Sequence, residues 1–139
     1  MKKLLILLIS LFAIQGNAMA IDKKIDISKM PQAAQMFLTK AFPNNKVTSA
    51  MMDDRDYKVM MTDGTSVEFD AKGVWKDIEC TTGSVPMSVL PQAIQKELTA
   101  KHSGMTVHKV EKDDDGGYDL KLSNGKELKF DSKLKPCCN

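Results

Sequence analysis

The sequence lacks the motifs of the common catalytic classes. It contains no Gly-x-Ser-x-Gly, no His-Glu-x-x-His and no glycine-rich phosphate loop. Its only histidines are His102 and His108, which flank a predicted helix-to-strand turn, and we interpret both as surface residues. We therefore expect a protein that is not an enzyme and that carries no cofactor.

An excess of charge of one sign is also missing. The chain has 20 basic and 18 acidic residues, and loss of an N-terminal segment with Lys2 and Lys3 would leave 18 of each. No basic stripe remains that would favour nucleic acid or an anionic membrane surface. We therefore expect no nucleic-acid partner.

Long apolar runs are absent beyond the N-terminus. Lys2 and Lys3 precede an apolar run over residues 4–14, and Ala18-Met19-Ala20 provides the small residues of a cleavage site. The run is too short to span a bilayer comfortably. It predicts a signal peptide over residues 1–20, cleaved after Ala20, and thus a periplasmic or secreted protein without stable membrane insertion. The alternative is an N-terminal buried helix.

Cysteine is scarce. The three cysteines, Cys80, Cys137 and Cys138, fit an oxidising compartment. We expect a disulfide between Cys80 and one of the tail pair, which would stabilise the fold by roughly 4 kcal/mol and leave one free thiol. Metal binding by the tail pair is the alternative, but no ligand spacing favours it, and we assign no metal site.

The chain contains one long internal repeat. Residues 28–35 (SKMPQAAQ) return as residues 88–95 (SVLPQAIQ). Each copy continues with a tyrosine, a turn glycine and a Phe-Asp pair: Tyr57, Gly64 and Phe69-Asp70 in one, Tyr118, Gly125 and Phe130-Asp131 in the other. Such a repeat predicts two similar units, residues 21–80 and 81–139, that form one compact domain.

Each unit is predicted to begin with a helix and continue as strands. Ser28 and Ser88 are the expected helix caps, before Pro31 and Pro91 in the first turn. Asp63-Gly64 and Asn124-Gly125 lie between alternating runs and predict hairpins. Strands over 47–52 and 107–112 precede them, and 74–79 adds a fourth strand whose counterpart in the second unit is short or missing. The fold class is α+β, with tandem α-β-β-β-(β) units and one helix on the apolar face of an antiparallel sheet in each.

The ordered set of motifs resembles the PepSY-like family. It comprises Leu/Met-Pro-x-Ala-x-Gln, Tyr-x-Val/Leu-x-Met/Leu, Asp/Asn-Gly and Val/Leu-x-Phe-Asp, followed by Gly-Val-Trp-Lys at residues 73–76. The family is described as similar to the β-lactamase inhibitor protein, and its members are mostly exported proteins of Bacteroidetes. The resemblance implies a curved antiparallel sheet backed by helices and a non-enzymatic binding role.

The open, polar sheet face is the predicted partner-binding surface. Its candidate residues are Lys58, Met60, Glu68, Lys121, Glu127 and Lys129. Trp75, the only tryptophan, either packs in the core or forms an exposed anchor for the partner. We hypothesise an exported binding module that presents this face to a protein, in the form of an inhibitor of an envelope or secreted enzyme.

Metal or small-molecule binding is the alternative function. Asp53, Asp54 and Asp56 in one unit match residues 113–115 in the other, and clustered carboxylates can bind calcium. A solvated turn is the favoured interpretation, because EF-hand spacing is absent. Most of the methionines are predicted to fill the core, with Met61 on the core face together with Met30 and Met36 or their neighbours, and Met60 is the exception on the polar face.

Overall fold

The computed structural model describes residues 23–137, which form one antiparallel sheet and two α-helices. The predicted signal peptide and Cys138 lie outside these residues. Nine strands follow one another in sequence order across the sheet. They are β1 (Lys23–Ile25), β2 (Val47–Asp53), β3 (Asp56–Met61), β4 (Ser66–Phe69), β5 (Trp75–Glu79), β6 (Val107–Lys112), β7 (Tyr118–Leu122), β8 (Glu127–Phe130) and β9 (Pro136–Cys137). The helices are α1 (Gln32–Ala41) and α2 (Gln92–Lys101).

The helix starts differ from the prediction that Ser28 and Ser88 cap them. Each serine lies inside a short 3-10 turn (Ile27–Lys29 and Met87–Val89) that precedes the helix, and Pro31 and Pro91 occupy the N-cap without a side-chain cap. The repeated glutamine supplies the local contact instead. Gln35 Nε2 donates to the Met30 carbonyl at 2.9 Å, and Gln95 Nε2 donates to the Leu90 carbonyl at 2.8 Å. The motif therefore ties the helix to the chain that precedes it.

One apolar row runs across eight strands and forms the centre of the core. Cross-strand pairing places the following side chains in register on the same sheet face: Ile25, Ala50, Val59, Val67, Ile78, Val110, Leu120 and Leu128. The buried stripes of both helices, Ala34 with Leu38 and Ile94 with Leu98, belong to the same core. The predicted α+β fold of two repeated units is confirmed.

The two units share the sheet through the pairing of β5 with β6. Asp77, Ile78 and Glu79 face Glu111, Val110 and Lys109 across this junction, which we call the seam. Because small units bury proportionately little surface, each unit alone would have a thin core. The shared sheet joins the two cores into one. Strand β1 has no counterpart in the predictions. The fourth strand of the second unit is short, as expected, with two residues.

The predicted disulfide from Cys80 to the tail is wrong. Cys80 is a buried free thiol at the end of β5, and Cys137 is disulfide-bonded without it. Strand β9 lies four strand spacings from β5, or about 19 Å, whereas a disulfide needs Cα atoms about 4.4–6.8 Å apart. Burial raises the pKa of the Cys80 thiol, which keeps it in the unreactive protonated form.

The predicted methionine positions hold in two cases of three. Met30 and Met61 are buried in the core. Met36 is 53% exposed on the outer side of α1, so its assignment to the core is wrong. The physical reason is the helical period, because Ala34 and Leu38 already occupy the buried stripe and Met36 lies between them.

Candidate functional site

The sheet face opposite the helices carries the polar side chains, and we call it the polar face. Its longest row pairs residues on all nine strands: Lys24, Met51, Lys58, Glu68, Asp77, Glu111, Asp119, Lys129 and Cys137. A parallel row contains Ser49, Met60, Ser66, Glu79, Lys109, Lys121 and Glu127. Both helices pack on the other face, so neither covers these rows.

Six of the seven predicted contact residues lie together on this face. Lys58, Met60 and Glu68 belong to β3 and β4, whereas Lys121, Glu127 and Lys129 belong to β7 and β8. The alternation of side chains along each strand therefore assigned them to the correct face. Their role in binding stays a prediction.

Trp75 is the seventh residue, and it lies in the core. Only 7% of it is exposed, and its ring stacks on Phe37 with centroids 6.3 Å apart. Lys112 Nζ lies 4.1 Å above the indole and Tyr118 lies beside it. The exposed-anchor interpretation of Trp75 is wrong, because its strand presents it to the helix side, next to Phe69.

A hollow of about 770 Å³ opens on the polar face over β5–β8. Three predicted residues line it: Lys121, Glu127 and Lys129. Glu79, Lys109 and Glu111 line it as well, and sequence reasoning missed all three. Lys109 and Glu111 belong to β6, which pairs with β7 within the second unit, whereas Glu79 joins them because β5 pairs with β6. The alternation of side chains along each strand could have assigned these three residues to the polar face. The order of the strands was needed to place them beside Lys121, Glu127 and Lys129.

Four carboxylates lie side by side across the middle of the polar face. We call Glu68, Asp77, Glu111 and Asp119 the acidic row, since each faces the next on strands β4 to β7. Burial raises the pKa of the Asp77 carboxyl to about 6, and the negative charges of Glu68, Glu111 and Glu79 add to that shift. Lys109 opposes it, with Nζ 4.0 Å from Asp77 Oδ2.

The acidic row ends in an ion pair at its β7 end. Lys129 Nζ lies 3.1 Å from Asp119 Oδ1 and 3.8 Å from Asp113 Oδ2. Its hydrogen bond with Asp119 raises the pKa of Lys129. Desolvation, followed by a hydrogen bond with Asp119, raises the pKa of Asp113. The two carboxyl groups are therefore close neighbours, and one lysine partly compensates both.

The acidic clusters form turns. Asp53 pairs with Asp56 where β2 passes into β3, and Asp115 Oδ1 accepts a hydrogen bond from the Gly117 N–H at 2.9 Å. Within residues 23–137, no group of three or more His, Cys, Asp or Glu side chains is placed to hold a metal ion. The Phe-Asp pairs serve a similar purpose, because Asp70 and Asp131 accept backbone hydrogen bonds in the turns that follow them.

The edges of the sheet are short and protected. Strand β1 has three residues, two of them lysines, and β9 has two residues, one of them proline. Lysine and proline at an edge discourage the addition of a further strand. The broad open surface is thus the polar face rather than an edge. Separately, the described part of the chain contains no helix long and apolar enough to cross a membrane.

The comparisons with known proteins agree with this architecture. Three solved structures of periplasmic proteins, each described as "putative", match it. The first, from Bacteroides thetaiotaomicron and described as calcium-regulated, is 41% identical, with a TM-score of 0.80 over 84% of this chain and 94% of that one. One from Bacteroides vulgatus is 38% identical, with the same TM-score and coverage.

The third relative, also from Bacteroides vulgatus and described as of unknown function, is 35% identical, with a TM-score of 0.76 over 85% of this chain and all of that one. No curated protein matches the chain. The family described as "putative beta-lactamase-inhibitor-like, PepSY-like" matches twice, over residues 11–62 and 55–135. The chain therefore belongs to this PepSY-like family.

Proposed function

We propose that the protein is an exported, non-catalytic binding module whose polar face captures a protein partner in the cell envelope. Its residues 1–20 would be removed after Ala20 during export, as the sequence pattern predicts. The periplasmic description of the three relatives supports this location. The family description favours an envelope or secreted enzyme as the partner, which the module would inhibit.

The polar face supports the proposal by its size and its lack of a cover. It spans nine strands, and its hollow of about 770 Å³ suits an inserted loop or strand of a partner. The backbone beneath it is a continuous antiparallel sheet, in which each strand pairs with its neighbours, so its side chains are held on a rigid support. A rigid surface loses little conformational entropy when it binds, which favours recognition by a preformed shape.

Truncation of the polar face should abolish partner capture without unfolding the protein. The test variant combines Lys58→Ala, Met60→Ala and Lys121→Ala, all on the polar face. If each side chain contributes about 1 kcal/mol to binding, capture from envelope extract should fall by about 100-fold. Capture can be measured by pull-down and mass spectrometry of the retained proteins.

The matched control also removes two lysine side chains and one methionine side chain, but from the other side of the molecule. Met36, Lys40 and Lys96 are exposed on the helices, and their alanine triple variant should capture the partner like the wild type. Melting temperatures of both triple variants should stay close to that of the wild type. Loss of capture only in the helix variant would contradict the proposed face.

A response to calcium is the second candidate function. One relative is described as calcium-regulated. In this chain, desolvation raises the pKa of the Asp113 carboxyl, and the neighbouring Asp119 carboxyl adds to the shift by hydrogen bonding and charge repulsion. A divalent cation would relieve that repulsion, and oxygen ligands are those that calcium prefers. Because these two side chains do not complete a site, the expected affinity is low.

Titration calorimetry with calcium chloride tests the second candidate. We expect millimolar affinity in the wild type and about tenfold or more weaker binding after Asp113→Asn. Asp54→Asn removes an exposed carboxylate from the equivalent turn of the first unit and should leave binding unchanged. An absence of heat from the wild type at millimolar calcium would dismiss the calcium function.

A further inference from the structure

We propose that the first unit has a second binding site, separate from the polar face, that receives an extended peptide segment with one aliphatic side chain. The site is a groove of about 290 Å³ between the end of α1 and the start of β2. It is lined mainly by apolar side chains, among them Leu38, Phe42, Val47 and Met61. These four side chains pack in or against the core, so the groove lies on the helix side of the sheet.

The internal repeat provides a counterpart for this groove in the second unit. Val107 of β6 follows Val47 of β2 by 60 residues, and both strands begin in the same way. The Thr62 N–H donates to the carbonyl that precedes Val47, at 2.9 Å. The Ser123 N–H donates to the carbonyl that precedes Val107, at 2.8 Å. The surroundings of the two valines can therefore be compared directly.

In the second unit, the chain itself covers the position beside Val107. The Val85 N–H donates to the Val107 carbonyl at 2.8 Å, and both side chains are buried. Pro86 follows Val85, and a residue before proline favours an extended backbone. The second unit thus covers this position with one aliphatic side chain and one backbone hydrogen bond.

In the first unit, the position beside Val47 is open. Ile25 is the counterpart of Val85 in the repeat, but it pairs with Ala50 instead. Strand β1 pairs with β2 only over residues 50–52, so the start of β2 has no strand on that side. Among residues 23–137, no N–H from outside β2 and β3 donates to the Val47 carbonyl. An incoming extended segment would therefore repeat both contacts that Val85 makes.

Two other occupants fit less well. Lys23, where the described chain begins, pairs with Met52 at the end of β2 remote from Val47. A second copy of the chain offers no free aliphatic segment among its described residues, because its Val85 is buried and its exposed Val74 already donates its N–H within its own turn. The occupant that we assign is therefore an extended segment of another protein.

A peptide copied from the second unit provides the direct test. The probe is the capped peptide Thr-Gly-Ser-Val-Pro, the sequence of residues 82–86, titrated into the isotope-labelled mature chain and followed by NMR. The amide signals of Leu38, Phe42 and Val47 should shift. With asparagine in place of valine, the peptide should bind about tenfold more weakly, because burial of the aliphatic side chain is lost. With N-methylvaline, it should bind about fivefold more weakly, because one hydrogen bond is lost.

Thr39 and Thr99 provide a matched pair of variants. Both are exposed on their helices, and each hydroxyl donates to the carbonyl of the glutamine four residues earlier, at 3.1 and 3.0 Å. Of the two, only Thr39 lines the groove. Thr39→Trp should fill the groove and weaken peptide binding by about tenfold or more, whereas Thr99→Trp should bind the peptide like the wild type.

The outcomes separate this inference from the proposed function. No shift of the three amide signals at millimolar peptide, or equal binding by the Thr39 variant, would overturn the inference. A wild type that sediments as a dimer, and that Thr39→Trp converts to monomers, would assign the groove to a second copy and overturn it as well. The alanine triple variant of the polar face should bind the peptide like the wild type, so loss of one site does not imply loss of the other.

Discussion

Replacement of Trp75 by alanine is expected to lower the free energy of unfolding by about 3–5 kcal/mol. The ring is buried between Phe37 of α1 and Tyr118 of β7, and Lys112 of β6 covers its face. The side chain therefore joins the helix of the first unit to strands of the second. Its removal leaves a cavity at the junction of both units, where the surrounding rings can close only partly.

Urea denaturation followed by circular dichroism measures this loss without relying on tryptophan fluorescence. Val74→Ala, at an exposed position next to Trp75, is the control and should change stability by less than about 0.5 kcal/mol. Because the core is continuous across the sheet, the Trp75 variant should unfold in one transition at a lower midpoint. A loss below about 1 kcal/mol would show that the indole does not join the two units as described.

The elements of each unit were predictable because their signals are local. The period-two alternation around Tyr57 and Tyr118 and the turn glycines define the hairpins, and both glycines have the positive φ that such turns need. The helix caps were less predictable. Serine is a common helix cap, but here each serine lies in a 3-10 turn. The helix begins only after the proline that follows this turn.

The long-range arrangement was not predictable in the same way. Pairing of β5 with β6 depends on which edges meet, and nothing in the residues around Asp77 or Glu111 specifies this. The same limit explains the wrong disulfide, since the distance from Cys80 to the tail follows from the strand order. The alternation identified Lys58 and Lys121 as members of one face. The acidic row, and the place of Glu79 beside the hollow, emerged only when the two units were joined.

Replacement of Asp77 by asparagine is expected to stabilise the protein at neutral pH by about 1–2 kcal/mol. The folded-state pKa of about 6 lies above the value of about 3.9 in an unfolded chain, so the folded protein holds the proton more tightly. The carboxylate is thus penalised on folding. The difference of about two units corresponds to about 3 kcal/mol at most, and the lost contact with Lys109 removes part of the gain.

The sign of the pH dependence distinguishes this effect from a simple packing change. The penalty is complete above pH 6, decreases as the carboxyl is protonated, and is absent below about pH 4. In urea denaturation, the difference in the free energy of unfolding between the Asp77 variant and the wild type should therefore decrease as the pH falls from 6 to about 4. For Asp54→Asn, at an exposed turn, the difference in the free energy of unfolding from the wild type should not change with pH in this way. If the Asp77 variant is less stable than the wild type at pH 7.5, Lys109 compensates the carboxylate fully. If the variant is more stable, the seam retains a negative charge at a cost in stability, as binding surfaces commonly do.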